Sequence, residues 1–382
     1  MSFEMSFVPA WRFGAGLAER IGPVAAPLAA GRPVLIVADP FWVTFGLVER
    51  MAASLAEAGL PSVTHSDIAG EPKLAQLEAA IAAARSSEAG LVIGIGGGSA
   101  LDLAKAAAAL MRAEEGPEAY CGVVRDLPRE RPARIMIPTT AGTGSEFSAT
   151  NIVALPSGRK SWIWGTATKP DLVILDPALA ASLPPALTAW CGMDAFVHAF
   201  EACTSRNAHA GVEIVAHEAL RRIARALPLA VEAGGDIAAR GEMLIGSGLA
   251  GQAIDNCGTA IAHNLAHALA GLAPVHHGLA TALAYELTLP WLCAQDNPGI
   301  VRAAAALGLN AAELPGFVTD LMDRCGFVRA LPPAFARFGV ADLMREIEAE
   351  ENRPMLKATM GDFPKVAEAT AAHLLALAEG SR

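Results

Sequence analysis

Cysteine is scarce and scattered. The six residues Cys121, Cys191, Cys203, Cys257, Cys293 and Cys325 form no C-x-x-C pair among 382 positions, which excludes a disulfide scaffold and points to a reducing compartment. Clustered cations are missing as well. Net charge is −10, and no Lys/Arg-rich block appears, so the phosphate-neutralising surface of a nucleic-acid binder is not expected. The N-terminal residues MSFEMSFVPAWRFG carry Glu4 and Arg12 and lack the basic start and sustained apolar core of a secretory signal. A cytoplasmic protein with small-molecule partners is the resulting expectation.

Charge disappears altogether over residues 256–285, a stretch longer than the ~20 residues that span a bilayer. Asn256, Asn264, His263, His267, His276, His277 and Pro274 interrupt it, and polar groups at that density are costly in hydrocarbon. It reads as a functional protein interior, and no membrane association is expected.

What is present is alternation. PVLIVAD, PSVTHSDI, GLVIGIGG and ARIMIPTT are short β-rich runs separated by the helical stretches WVTFGLVERMAASLAEAGL, KLAQLEAAIAAARSS and ALDLAKAAAALMRA. This βαβαβαβ pattern predicts a parallel sheet with helices on both faces and ligands beyond the carboxyl ends of the strands. After Asp176-Pro177 an Ala/Leu periodicity near 3.6 takes over, with Ser182 as a helix start and Pro/Gly punctuation dividing the rest into six to nine helices. We place the domain boundary near 177–184, giving an α/β domain over 1–180 and an all-helical domain over 181–382, with the chemistry expected between them. The Gly/Ser/Thr-rich segment 139–169 predicts a short hairpin with loops.

Two turns offer bare backbone. GLVIGIGGGSALDLAK passes from strand to helix through Gly96, Gly97 and Gly98, where a phosphate would meet helix N–H groups. The spacing is not G-x-G-x-x-G, and Ser99 with Asp102 reads equally as a capping box that needs no ligand. IPTTAGTGSEFS brings Thr139, Thr140, Thr143 and Ser145 to a second such turn, or to an ordinary Gly/Thr loop. Asp39 ends the first clear strand. Its carboxylate suits ribose hydroxyls and would repel a 2′-phosphate, or it opens the turn at Pro40.

Seven of the nine histidines lie between 198 and 277. Asp194 and His198 are four apart, as are His263 and His267, so each pair shares a helix face. With His277 beyond Pro274, the oxygen and imidazole donors form a candidate cage for Fe²⁺, Zn²⁺, Mn²⁺ or Co²⁺. The H-E-x-x-H glutamate is absent, which removes the zinc peptidase reading. His209, His217 and His373 read as core histidines.

The ordered set GGGSALDLAK, PTTAGTGSE, D-x3-H and H-x3-H-x9-HG resembles the iron-containing, group III alcohol dehydrogenases over almost the whole chain. The resemblance implies a nucleotide-binding α/β domain followed by a helical domain, as in dehydroquinate synthase-like proteins. It also implies NAD(P), NAD foremost, and one divalent metal, Fe²⁺ foremost and Zn²⁺ second. Carried over by motif, the metal ligands are Asp194, His198, His263 and His277, and His267 is the histidine near the substrate. Cofactor contacts fall on Asp39, Gly97, Gly98, Ser99, Asp102, Thr139, Thr140, Thr143, Ser145 and Lys160. The implied reaction is hydride transfer between NAD(H) and a small alcohol or aldehyde in a homodimer or larger homo-oligomer. Same-fold alternatives are a glycerol dehydrogenase, a maleylacetate reductase or a dehydroquinate synthase-like lyase; a non-catalytic metal-stabilised binding protein is the reading from another class. The chain departs from the family pattern at Glu71-Pro72, Ala268 and His276, where Asn-Pro, Pro and Pro are frequent; His276 leaves two neighbouring candidates for the last ligand, and Gly278 favours His277.

Overall fold

A computed structural model describes residues 2–8, 10–68 and 70–378. These divide into two compact units, one within residues 7–140 and 144–182, the other within 2–6, 141–143 and 183–378.

The first unit is built on six parallel strands, β1 (Trp11–Phe13), β2 (Val34–Ala38), β3 (Ser62–His65), β4 (Leu91–Gly96), β5 (Ala133–Pro138) and, later in the chain, β8 (Leu172–Leu175), in the order β1-β8-β5-β4-β2-β3. Strands β2 and β4 are fully buried Val/Ile/Leu runs, as a sheet covered on both faces requires. Side chains alternate between two cores. Val34 and Ile36 face the layer of α1 (Gly22–Ala29), α2 (Pro40–Thr44) and α3 (Leu47–Glu57), whereas Leu35 and Val37 face α4 (Leu74–Ser86) and α5 (Gly98–Leu110). The predicted helix over 42–60 is two helices, because Gly46 adopts φ +78° between α2 and α3.

The chain leaves β2 toward β3 on one side and returns through β4 on the other. Asp39 and Gly96 therefore end the two strands that flank the topological switch point, where ligands bind in open α/β sheets. The predicted hairpin is β6 (Thr150–Ala154) with β7 (Lys160–Trp164), antiparallel. A short α6 (Pro177–Ala180) follows β8, capped by Asp176.

The second unit is helical, with ten α-helices among the described residues: α7 (Pro185–Thr204), α8 (Ala210–Glu232), α9 (Ile237–Cys257), α10 (Ile261–Leu272), α11 (His277–Cys293), α12 (Pro298–Ala306), α13 (Leu314–Arg324), α14 (Val340–Ile347), α15 (Arg353–Ala358) and α16 (Ala367–Ala376). That exceeds the six to nine expected, since the C-terminal part breaks into short pieces. Ser182 does not start α7, which opens at Pro185; the Ser182 hydroxyl donates instead to Leu179 O. Helices α7, α8 and α9 pack side by side, and α11 packs on α7 and α10. Among the described residues no helix is long and apolar enough to cross a membrane.

Lys105, fully buried on α5, fixes the loop after β5. Its ammonium donates to the carbonyls of Ser145, Ser148 and Thr150 at 2.8, 3.1 and 2.8 Å, and Asp102 lies 3.4 Å away. Lys105→Met would keep the apolar stem but take the ammonium away from three carbonyls and from the buried Asp102 carboxylate whose charge it balances. We expect a loss of ~3 kcal/mol in unfolding free energy, measured by urea denaturation; wild-type stability would show that the loop holds without the ammonium.

Candidate metal and nucleotide sites

The helical unit gathers its donors from three helices. Asp194 and His198 lie one turn apart on α7, His263 is in the first turn of α10, and His277 opens α11. Asp194 Oδ1, His263 and His277 offer ligand atoms within 4.8 Å of one another. The Nε2 atoms of His263 and His277 stand 3.5 and 3.6 Å from Asp194 Oδ1, the separation of donors sharing one ion at ~2.1 Å. His198 stands outside this triad but stacks on His263, with ring centroids 4.4 Å apart.

Burial makes the arrangement unusual. Asp194 Oδ1, His263 Nε2 and His198 Nδ1 are all buried without a hydrogen-bond partner, although such atoms are costly to leave unmet. A divalent cation answers that need with the hard oxygen and borderline nitrogen donors present, so these residues fit the implied metal. Burial opposes ionisation of Asp194, but the imidazoles of His198, His277 and His263 outweigh it and hold the carboxyl well below its ordinary range. For His198 burial dominates over the raising influence of Asp194, and its pKa falls to about 4. For His263 burial is overcome by Glu201 and Asp194, and its pKa rises to about 9.

Position separates the two neighbouring candidates for the last donor. His277, not His276, belongs to the triad; His276 packs on Trp190 with centroids 4.9 Å apart. Gly278 explains the tight fit, since a Cβ there would lie 2.3 Å from Trp190 O and only a bare backbone lets α11 seat against α7 beside Asp194. His267, half-buried on α10, has its ring 5.4 Å from that of His277.

Glu201, to which the sequence assigned no role, is 1% exposed and accepts from Ala260 N, Ala262 N and His263 Nδ1, each at 2.7 Å. Its only sequence signal was position, one turn beyond His198 on the same helix. The other histidines depart from the core reading: His209 is half-buried and caps α8 through Nδ1, His217 is half-buried, and His373 is exposed.

In the α/β unit the two glycine-rich turns are neighbours, because β4 and β5 pair with Gly96 opposite Pro138 and Thr139 N donates to Gly96 O at 3.0 Å. Helix α5 starts at Gly98 with Gly97 as its N-cap and no side chain capping it. The expected Ser99–Asp102 capping box is absent because Ser99 already lies inside the first turn. The Asp102 carboxylate instead accepts from Ser145 Oγ at 2.5 Å and Ile152 N at 2.9 Å. Gly97, Gly98 and Ser99 remain half-buried at a helix N-terminus free of any side-chain cap, and Thr140 adjoins Gly97.

Asp39 caps α2 by accepting from Phe41 N at 2.9 Å, and its own N–H donates to Ile95 O at 3.0 Å. The turn reading of Asp39 is thus realised, with the carboxylate still half-exposed at the switch point. Thr139 is buried. Thr143 is exposed and belongs to the helical unit with Gly142. Lys160 pairs with Glu71, so the charge introduced by the departure at Glu71 meets a lysine.

The profile of the iron-containing alcohol dehydrogenases matches residues 9–177, and that of the family's C-terminal region matches 188–332. A long-chain-alcohol dehydrogenase of Geobacillus thermodenitrificans is 34% identical over 351 residues, covering 88% of this chain and 86% of that protein. A probable alcohol dehydrogenase of Escherichia coli is 37% identical over 302 residues, covering 78% and 76%. The crystal structure of a sulfoacetaldehyde reductase from Bifidobacterium kashiwanohense in complex with NAD+ superposes with a TM-score of 0.90 at 25% identity, covering 98% and 99% of the two chains. With both profiles matched in order and a relative this similar along most of its length, the chain belongs to the iron-containing alcohol dehydrogenase family.

Proposed function

We propose that the protein is an NAD-dependent, metal-dependent oxidoreductase that interconverts a small alcohol and its aldehyde. One observation carries the reading: Asp194 Oδ1 and His263 Nε2, both buried and without a hydrogen-bond partner, converge with His277 on one point. Asp194, His198, His263 and His277 would hold the cation, Fe²⁺ foremost given the family and Zn²⁺ second. When bound, the cation supplies Lewis acidity toward the alcohol or carbonyl oxygen, and the nicotinamide takes or gives the hydride.

The chain's own residues do the rest. Gly97, Gly98 and Ser99 present the positive end of α5 to the pyrophosphate, with Thr139, Thr140 and Thr143 on the adjoining turn and Lys160 beyond it. Asp102 and Ser145, bonded to each other, hold that turn in place. Asp39 accepts from ribose hydroxyls and its charge disfavours a 2′-phosphate. His267 carries the alcohol proton away from the substrate oxygen. The Ala- and Leu-rich setting of α10 and α11 suits a small apolar substrate. Unpaired cysteines support a cytoplasmic setting, and assembly as a homodimer or larger homo-oligomer rests on the family likeness.

Elemental analysis of protein purified without chelator, joined to an alcohol and aldehyde panel with NAD and NADP, tests the reading as a whole. A metal-free protein that turns over neither coenzyme would end it. For His263→Ala we expect metal occupancy to fall at least ~10-fold with turnover falling in parallel; full occupancy with full activity would remove His263 from the ligand set. For Asp39→Gly we expect kcat/KM with NADP to rise at least ~10-fold, equivalent to ~1.4 kcal/mol, and an unchanged coenzyme preference would take Asp39 away from the ribose.

A further inference from the structure

Glu201 is the one buried carboxylate of this region that the proposed reaction leaves without a task. It lies on α7 one turn beyond His198 and two turns beyond Asp194, yet its bonds run to another helix, 59 to 62 residues on. One oxygen, Oε1, accepts from Ala262 N; the other, Oε2, accepts from Ala260 N and lies 2.7 Å from His263 Nδ1. Helix α10 has no cap of its own, since its N-cap residue is Ala260. Glu201 therefore serves the first turn of α10 from outside, and that turn carries His263.

The consequence for the imidazole is specific. An ionised carboxylate is acceptor-only, so the Nδ1 beside it must carry a proton. A neutral imidazole protonated at Nδ1 has its lone pair on Nε2, and Nε2 is the atom that stands 3.5 Å from Asp194 Oδ1 with no hydrogen-bond partner. His263 is also the central ring of the cluster, stacked on His198 at 4.4 Å and tilted against His277 at 5.5 Å. Turning this ring would disturb every donor in the set.

We propose that Glu201 is a positioning residue for the metal centre: by accepting the Nδ1 proton of His263 while holding the first turn of α10, it fixes the tautomer and ring orientation that offer Nε2 to the cation, and so sets metal affinity. This rests on reading the cluster as a metal centre. Carboxylates that accept from the distal nitrogen of a ligating histidine orient the ring and raise its basicity, and losing them costs ~10–100-fold in metal affinity.

The test titrates chelator-stripped protein with Co²⁺ against a chromophoric competitor, reading both the dissociation constant and the d–d absorption, for wild type, Glu201→Gln and Glu201→Asp. Thermal unfolding of each stripped protein is followed alongside. We expect Glu201→Gln to bind Co²⁺ ~10–100-fold more weakly with an altered d–d band, and Glu201→Asp, which keeps the charge, to recover part of the affinity. A Gln variant with wild-type affinity and an unchanged band overturns the assignment, however much stability it loses, and leaves Glu201 as a helix cap alone. Should the Gln variant fail to fold, imidazole nitrogen-15 spectra of the Zn²⁺-loaded wild type decide: a proton on His263 Nδ1 with Nε2 ligating supports the proposal, and a proton on Nε2 overturns it. Wild-type protein that binds no Co²⁺ overturns the metal-centre reading itself, before any substitution is made.

Discussion

The helical unit is organised around a buried carboxylate oxygen that protein groups do not satisfy. Asp194 Oδ1 lies among apolar helices with imidazole nitrogens at 3.5 and 3.6 Å and no hydrogen bond. Left alone, such an atom would cost a few kcal/mol, and burying its ionised form costs more. Packing that was selected only for stability would place an apolar residue there, such as the alanines and leucines that recur along α10 and α11. The helices are instead arranged so that three separate segments deliver polar atoms to one point. The positions of Gly278 against Trp190 O and of Glu201 against the start of α10 make sense as supports for that delivery.

A second constraint acts in the α/β unit, where the phosphates of the proposed cofactor would be met by backbone rather than by cations. Among the described residues the unit has no cluster of Lys or Arg at the switch point; Lys105 is committed to three carbonyls and Lys160 to Glu71. What remains is the N-terminus of α5, uncapped by any side chain, with a second Gly/Thr turn held beside it by the Gly96–Thr139 backbone bond. Lys105 and Asp102 thus act at one remove, by fixing the shape of a turn whose N–H groups and hydroxyls would do the proposed binding.

Legibility in the sequence followed range. The four strands, the helical second half and the pairing of Asp194 with His198 depend on periods of 2 and 3.6, which are local, and they could be read directly. The set Asp194, His198, His263 and His277 needed the ordered motifs, since no local rule says that residues 65 or 83 positions apart meet. Asp102 shows the limit in the other direction. Its spacing from Ser99 satisfies a local capping pattern, but a long-range partner, Ser145, forty-three residues on, takes the carboxylate. Gly46 was a visible break signal inside an otherwise helical run, outweighed there by amphipathic periodicity on both sides. His373 reads as core because it is a lone histidine on an apolar helix, but that helix turns it outward and it is exposed.

Glu201 and His276 illustrate why a donor list is not yet a site. His276 has the right chemistry and is adjacent to a candidate ligand, but it is the N-cap of α11 and its ring packs on Trp190, so the turn directs the next residue inward instead. Glu201 lacks any motif and sits behind the imidazole rather than in front of it. Its importance follows from the two-sidedness of imidazole: one nitrogen can present a lone pair in a defined direction only if the other is held. A helix that begins after Ala260 without a side-chain cap has a first turn prone to fraying, and a donor placed in that turn inherits the looseness. A carboxylate that satisfies both the loose backbone and the far side of the ring removes both freedoms at once. That coupling ties the local order of α10 to the geometry of the metal site.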